Sequence, residues 1–342
     1  MKAGLVGFPH SGKTTLFTAV TALHKAGGSQ VHLGAIKVPD RRVDQLAALY
    51  KPRKVTHAEM LFTDLPGPRG KGLEGEALRA LSDVDALCLV VRGFTAPDGT
   101  PPEPLRELRD FEAELVLADL GMVERRLDRL RKEHAGKASG EFHELSSLLT
   151  HLETGNPLRT LRWTEAEERE MAHFGFLSRR PMLVVLNVAE ADAAKPFPPE
   201  LEPEVRARGA EGLALSAALE AEIAELDAAE QPAFLDSIGL AEPARERFIR
   251  AAYHLLDLVS FFTVGEDEVR AWTIHRGDKA PRAAGKIHSD LERGFIRAEV
   301  AHYEDFMAAS GEVKARERSK MRLEGKEYVV KDGDILHVRA AV

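Results

Sequence analysis

The chain has 342 residues, 44% hydrophobic and 30% charged, with 47 Lys and Arg against 55 Asp and Glu, a net charge of −8. That apolar content excludes a disordered chain, and a single cysteine, Cys88, excludes a disulfide scaffold. No apolar run approaches the ~18–20 residues of a membrane span, and the N-terminal run is too short for a signal peptide. The acidic balance argues against a DNA-coating protein, so a cytoplasmic chain of two or three domains is expected.

In chain order, residues 3–6, 60–62, 86–91 and 182–186 form continuous apolar runs. Such runs predict strands buried on both faces of a mostly parallel sheet. Leu16, Phe17, Val20 and Leu23 follow the first run at helical spacing, which makes the core α/β. Residues 101–178 differ. Val116, Leu120, Val123, Leu127 and Leu130 recur at spacings of four and three, residues 135–140 break the pattern, and Phe142, Leu145, Leu148, Leu149 and Leu152 resume it. This predicts an antiparallel helical hairpin inserted into the α/β core, entered through Pro97, Pro101, Pro102 and Pro104. Beyond residue 257 the texture becomes strand-rich, and Asp332-Gly333 between residues 328–330 and 335–338 predicts a β-hairpin.

Residues Gly7-Phe8-Pro9-His10-Ser11-Gly12-Lys13-Thr14 fit G-x-x-x-x-G-K-[ST], with a strand before and a helix after. Glycines let backbone N–H groups turn inward around phosphate oxygens, and the helix start adds a positive dipole end. Lys13 is expected to reach the β- and γ-phosphates, and the Thr14 hydroxyl to ligate Mg²⁺. Asp64-Leu65-Pro66-Gly67 ends the second apolar run as a D-x-x-G motif, with Asp64 in the Mg²⁺ shell and the Gly67 N–H sensing the γ-phosphate. Pro68 then stands where a glutamine would orient attacking water. Asn187-Val188-Ala189-Glu190 follows the fourth run, where a GTPase carries N-K-x-D. Glu190 and Val188 weaken guanine recognition, while Asn187 retains the groups to bond an adenine edge. Ser216-Ala217 fits the last base-contacting loop.

This motif order resembles the YchF/Obg-like ATPases of the translation-factor GTPase class. C-terminal strings such as Ala283-Ala284-Gly285-Lys286-Ile287-His288-Ser289-Asp290 and Glu292-Arg293-Gly294-Phe295-Ile296-Arg297 look like that family's TGS domain. The resemblance implies an α/β P-loop NTPase with a mostly parallel sheet, an inserted antiparallel helical hairpin and a C-terminal β-grasp (TGS) domain. The expected division is a nucleotide-binding domain at 1–100 and 179–256, the hairpin at 101–178 and the TGS domain at 257–342. It further implies ATP preferred over GTP, slow hydrolysis without a Ras-type glutamine, and ribosomes or rRNA as partner, with no DNA and no membrane. By position, His10, Ser11, Gly12, Lys13, Thr14 and Thr15 wrap the phosphates, and Asn187, Val188, Ser216 and Ala217 meet the base, Val188 through its backbone. Lys13, Asp64 and Gly67 fall in the catalytic positions, and Thr14 and Asp64 in the metal positions. An oligomer is not implied.

The chain departs from the family pattern in four places. His10-Ser11-Gly12-Lys13-Thr14 replaces N-V-G-K-S, the first switch stretch at residues 27–34 is short and carries only Ser29 as a hydroxyl, the glycine-rich loop at 68–75 is abbreviated, and residues 95–104 contain no histidine. All four touch γ-phosphate sensing or water attack, so nucleotide binding is expected to survive while turnover is slow or absent. The alternatives are a nucleotide-gated adaptor with little or no hydrolysis and a GTP-specific regulatory GTPase. Lys314, Arg316, Arg318, Lys320 and Arg322 alternate, sharing an RNA-facing side if extended and scattering if helical. Arg125, Arg126, Arg129, Arg131 and Lys132 form a second basic group on the hairpin, read as a solvated face, and His143, His151 and Cys88 are read as structural.

Overall fold

The computed structural model describes residues 1–21, 32–67, 73, 75–133 and 140–341. Among them run twelve strands: β1 (Lys2–Val6), β2 (His32–Lys37), β3 (Lys54–Thr56), β4 (Glu59–Asp64), β5 (Ala86–Arg92), β6 (Met182–Asn187), β7 (Ala210–Leu215), β8 (Leu258–Thr263), β9 (Glu268–His275), β10 (Phe295–His302), β11 (Arg322–Glu324) and β12 (Asp334–Ala340). Two compact units result, one of residues 1–34 and 61–248, the other of residues 35–60 and 249–342. The second unit thus takes in 35–60 and 249–256, which the sequence division had grouped with the nucleotide-binding domain.

In the first unit the strands run in the order β4-β1-β5-β6-β7. β1 lies parallel to β4 and β5, β5 to β6, and β6 to β7. β5 and β6 are buried along almost their whole length, which is why they read as unbroken apolar runs. Parallel pairing puts the C-terminal ends of β1, β4, β5, β6 and β7 on one edge, so the loops leaving them converge.

The helix Pro104–Glu133 spans 30 residues, about 45 Å at 1.5 Å per residue. Its first turns place Leu108, Phe111 and Leu115 in the core beside the sheet. Further along, Val116, Val123, Leu127 and Leu130 pack with Leu145, Leu148 and Leu152 of the helix Gly140–Glu153. The predicted hairpin seam is present, and the helix that carries it is rooted in the α/β core. Of the predicted break at 135–140, residues 135–139 lie outside the described residues and Gly140 begins the second helix. Buried charges tie this root down. Asp119, fully buried, accepts the N–H groups of Leu177 (2.9 Å) and Ser178 (2.7 Å), and Glu112 pairs with the buried Arg159.

In the second unit the sheet order is β11-β10-β12-β8-β9-β3. β10 runs antiparallel to β11 and β12, β12 parallel to β8, and β8 antiparallel to β9. The helix Ala280–Ile287 covers one face, its Ala280, Ala283 and Ala284 buried against Phe261, Ile274 and Val300, in the manner of a β-grasp domain. The Asp332-Gly333 turn forms, with Gly333 at φ 85°, but not as a hairpin. Residues 328–330 are no strand. Val329 makes one isolated bridge to Lys279, the Val330 N–H bonds Asp278 O, and β12 enters the sheet interior between β10 and β8. Residues 35–60 complete this unit. β3 pairs parallel with β9, Arg42 binds Asp332 (2.8 Å), and Tyr50 stacks on Phe306 with centroids 6.1 Å apart.

Candidate nucleotide-binding site

The loop after β1 folds back on itself before the helix Lys13–Thr21 begins, and its Ser11 N–H donates to Phe8 O at 3.3 Å. Two of its residues take left-handed backbone, His10 at φ 67° and Gly12 at φ 85°. At Gly12 glycine is demanded twice, since a Cβ there would also lie 2.0 Å from Asn187 Nδ2. At Gly67 the backbones approach so closely that a Cβ would meet Gly7 O at 2.0 Å. These contacts leave a cavity of about 320 Å³ lined by residues 7–15, Pro66 and Gly67. It has the composition of a phosphate cradle: backbone amides, a helix start and one ammonium.

Lys13 and Thr14, on the first turn of that helix, face the end of β4. The Lys13 ammonium donates to Leu65 O and lies 3.2 Å from Asp64 Oδ1. The Thr14 hydroxyl donates to Asp64 Oδ2 at 3.1 Å. Asp64 Oδ1 is buried without an aligned hydrogen-bond donor. The Thr14 hydroxyl, which lines the cavity, and the Asp64 carboxylate it bonds would suit Mg²⁺, which takes few protein oxygens and completes its shell with water and phosphate. Among the described residues no group of three or more His, Cys, Asp or Glu is placed to hold a metal by protein ligands alone.

A second cavity, about 650 Å³, adjoins the first through Gly12 and Thr15. The predicted Asn187, Val188, Ser216 and Ala217 all line it. Several of their groups also hold the site together. Asn187 is 4% exposed, its Nδ2 donating to Ser11 O (2.9 Å) and its Oδ1 accepting from the Ala217 N–H (2.8 Å). It ties the loops after β1, β6 and β7 together, and its second N–H has no partner in these two bonds. The Ser216 hydroxyl caps the helix Ala217–Glu225 through the Leu219 N–H. Val188 spends its own N–H on Leu215 O (2.8 Å). Glu190 lines the cavity where a guanine-binding Asp stands in GTPases, and Val188 where the Lys stands.

Phe94 and Thr95, which sequence motifs did not single out, line the same cavity. Their signal was topological: they follow β5, next to β1 in the middle of a parallel sheet, where loops at strand C-termini form binding crevices. Ser29 and Pro68 lie outside the described residues. The alternating basic run is not an extended face. The helix Glu312–Glu317 carries Lys314 and Arg316, and Arg316 pairs with Glu299 (2.6 Å), Lys320 with Asp305 (2.9 Å) and Arg322 with Glu324 (3.4 Å). His151 Nε2 sits 3.2 Å from Pro157 O, and Cys88 is buried in β5, its thiol pushed up to about 12 by burial.

Comparison with known proteins agrees with this arrangement. A family model described as 50S ribosome-binding GTPase matches residues 2–119, and the model for the C-terminal domain of YchF GTPases, described as a protein of unknown function, matches residues 258–341. The chain is 40% identical to the ribosome-binding ATPase YchF of Bacillus subtilis (strain 168), over 99% of each chain. It is 38% identical to that of Escherichia coli O157:H7, over 98% of each. The solved YchF GTPase of Schizosaccharomyces pombe superposes with a TM-score of 0.87 at 29% identity, covering 99% of this chain and 97% of that one. With a P-loop, a D-x-x-G strand end and an N-x-x-E loop around two adjoining cavities, and with relatives of this identity along its full length, the chain belongs to the YchF family.

Proposed function

We propose that the chain binds ATP with Mg²⁺ in preference to GTP, hydrolyses it slowly, and acts on ribosomes. The base end of the cavity carries the nucleotide preference. Guanine selectivity needs a carboxylate to accept from N1–H and N2–H₂, held by a short side chain beside a packing lysine. Val188 and the longer Glu190 occupy those places, and the Asn187 amide is engaged with Ser11 and Ala217. The phosphate end keeps its parts. Gly12, Lys13, Thr14 and Thr15 surround the phosphates, Thr14 and Asp64 hold Mg²⁺, and Lys13 offsets charge that builds on the γ-phosphoryl oxygens. Bound Mg²⁺ supplies charge neutralisation of the polyphosphate.

Slow turnover follows from what the motifs lack, since each missing transition-state contact costs about 10²–10³ in rate. The ribosome as partner rests on the relatives, which are named ribosome-binding ATPases. Calorimetric titration of the full chain with ADP and GDP at millimolar Mg²⁺ tests the preference. ADP is expected to bind at least about tenfold more tightly, and Lys13→Ala to weaken it about 100-fold, in line with loss of a charge-assisted contact. Equal or tighter GDP binding overturns the ATP reading. Co-sedimentation with ribosomes in the presence of a non-hydrolysable ATP analogue tests the partner, and absence from the ribosomal pellet overturns it.

A further inference from the structure

We infer that Arg92 is a positioning residue for the nucleoside end of the site, acting by clamping the loop that carries Phe94 and Thr95 into the cavity. The inference rests on the nucleotide-binding reading above. Arg92 ends β5, and only 11% of its side chain is exposed. Its Nη1 donates to Phe94 O and to Thr100 O, both at 2.9 Å, and its Nη2 donates to Pro101 O at 3.0 Å. One guanidinium thus gathers three carbonyls from the two ends of a single loop. Glu107, on the first turn of the helix Pro104–Glu133, anchors the clamp. Its Oε2 accepts the Arg92 N–H at 2.9 Å, and its Oε1 stands 3.8 Å from Arg92 Nε.

Little else orders this loop. Residues 95 and 97–101 are exposed and bury no apolar side chain. The Gly93 N–H on Asn187 O (2.8 Å) fixes where the loop departs, and the bonds from Ala96 N–H to Thr100 O and from Gly99 N–H to Ala96 O close its tip, each at 2.9 Å. Holding a backbone residue in one conformation costs conformational entropy, so a solvent-exposed loop needs such cross-ties to present a rigid wall. Phe94 and Thr95 line the base cavity and not the phosphate cavity. The clamp therefore acts on ligands with a nucleoside and is silent toward a bare polyphosphate. A lysine there supplies a point charge in place of the planar fork and cannot reach all three carbonyls together.

The test uses the full chain at millimolar Mg²⁺, with ADP and inorganic tripolyphosphate as separate probes in calorimetry. Arg92→Met keeps the bulk and removes the donors. It is expected to raise the Kd for ADP about tenfold, the scale of one lost hydrogen bond from a charged group, while the Kd for tripolyphosphate stays within about twofold. Arg92→Lys is expected to behave like Arg92→Met. Unchanged ADP affinity, or equal weakening of both probes, overturns the clamp and leaves the nucleotide reading standing. A wild-type chain that binds neither probe overturns the nucleotide reading itself. Should Arg92→Met not fold, Asp98→Ala serves, because the exposed Asp98 carboxylate accepts the Thr100 N–H (2.9 Å) and so steadies a carbonyl that Arg92 grips. It is expected to weaken ADP about two- to fivefold with tripolyphosphate unchanged, and unaltered ADP binding by a folded Asp98→Ala protein overturns the clamp equally.

Discussion

Asn187 shows how one side chain ties the loops of a binding site together. Its amide bridges Ser11 O and the Ala217 N–H, and Gly12 leaves it room by having no Cβ. Removal of the amide leaves a buried N–H and a buried carbonyl unpaired, at about 1–3 kcal/mol each. Asn187→Ala is therefore expected to lower thermal and denaturant stability by about 2–4 kcal/mol and to weaken ADP and GDP by the same factor. Calorimetric titration with both diphosphates checks this. A changed ADP-to-GDP ratio means instead that Asn187 touches the base. The residue was legible as a site residue from N-x-x-E after an apolar run, but its task was not, because its partners stand 176 and 30 residues away in the chain.

At the scale of elements, local periodicity carried far. Each continuous apolar run became a buried parallel strand, and the seam from Val116 to Leu130 became a helix packed on its antiparallel partner. The weak point was where the hairpin begins. A 3.6-residue pattern reports which face is buried, not what covers it, and Leu108, Phe111 and Leu115, ahead of the seam read from Val116, pack on the sheet. Between these two packing zones stands Asp119, whose carboxyl is raised by burial and held by the Leu177 and Ser178 N–H groups. A charged residue inside an apolar stripe was the available sign of such a junction. Asp119→Ala leaves both N–H groups buried without acceptors and is expected to cost about 2–5 kcal/mol. Asp119→Asn keeps one acceptor oxygen and is expected to cost about half as much. Urea unfolding of the full chain measures both, and a loss under about 1 kcal/mol for Asp119→Ala contradicts the junction role.

For the molecule as a whole, sequence patterns located the C-terminal module but not all of its parts. Residues 35–60 belong to the second unit through contacts with residues more than 200 positions later, and no local pattern encodes such a pairing. Three kinds of contact made by residues 35–60 are lost if the module is cut at residue 257. The outer edge of β9 loses β3, Phe306 loses the stacked Tyr50 ring, and Asp332 loses Arg42, which also lies over the Phe262 ring at 5.1 Å. Asp332 is then left with the Ser260 N–H alone of these partners, in a turn the sheet depends on. An aromatic pair and a cation over a ring contribute about 0.5–1.5 and 0.5–1 kcal/mol, so with the exposed strand edge the loss reaches about 2 kcal/mol or more. In a domain of this size that shifts Tm by about 8–16 °C. A 257–342 fragment is therefore expected to melt at least ~8 °C below a chain in which 35–60 is joined to 257–342 by a flexible Gly/Ser linker, and to self-associate through the bared edge of β9. Scanning calorimetry and sedimentation of the two proteins decide it. Equal melting temperatures with both monomeric mean that the C-terminal fold is complete from residue 257, and that 35–60 lies on it without supporting it.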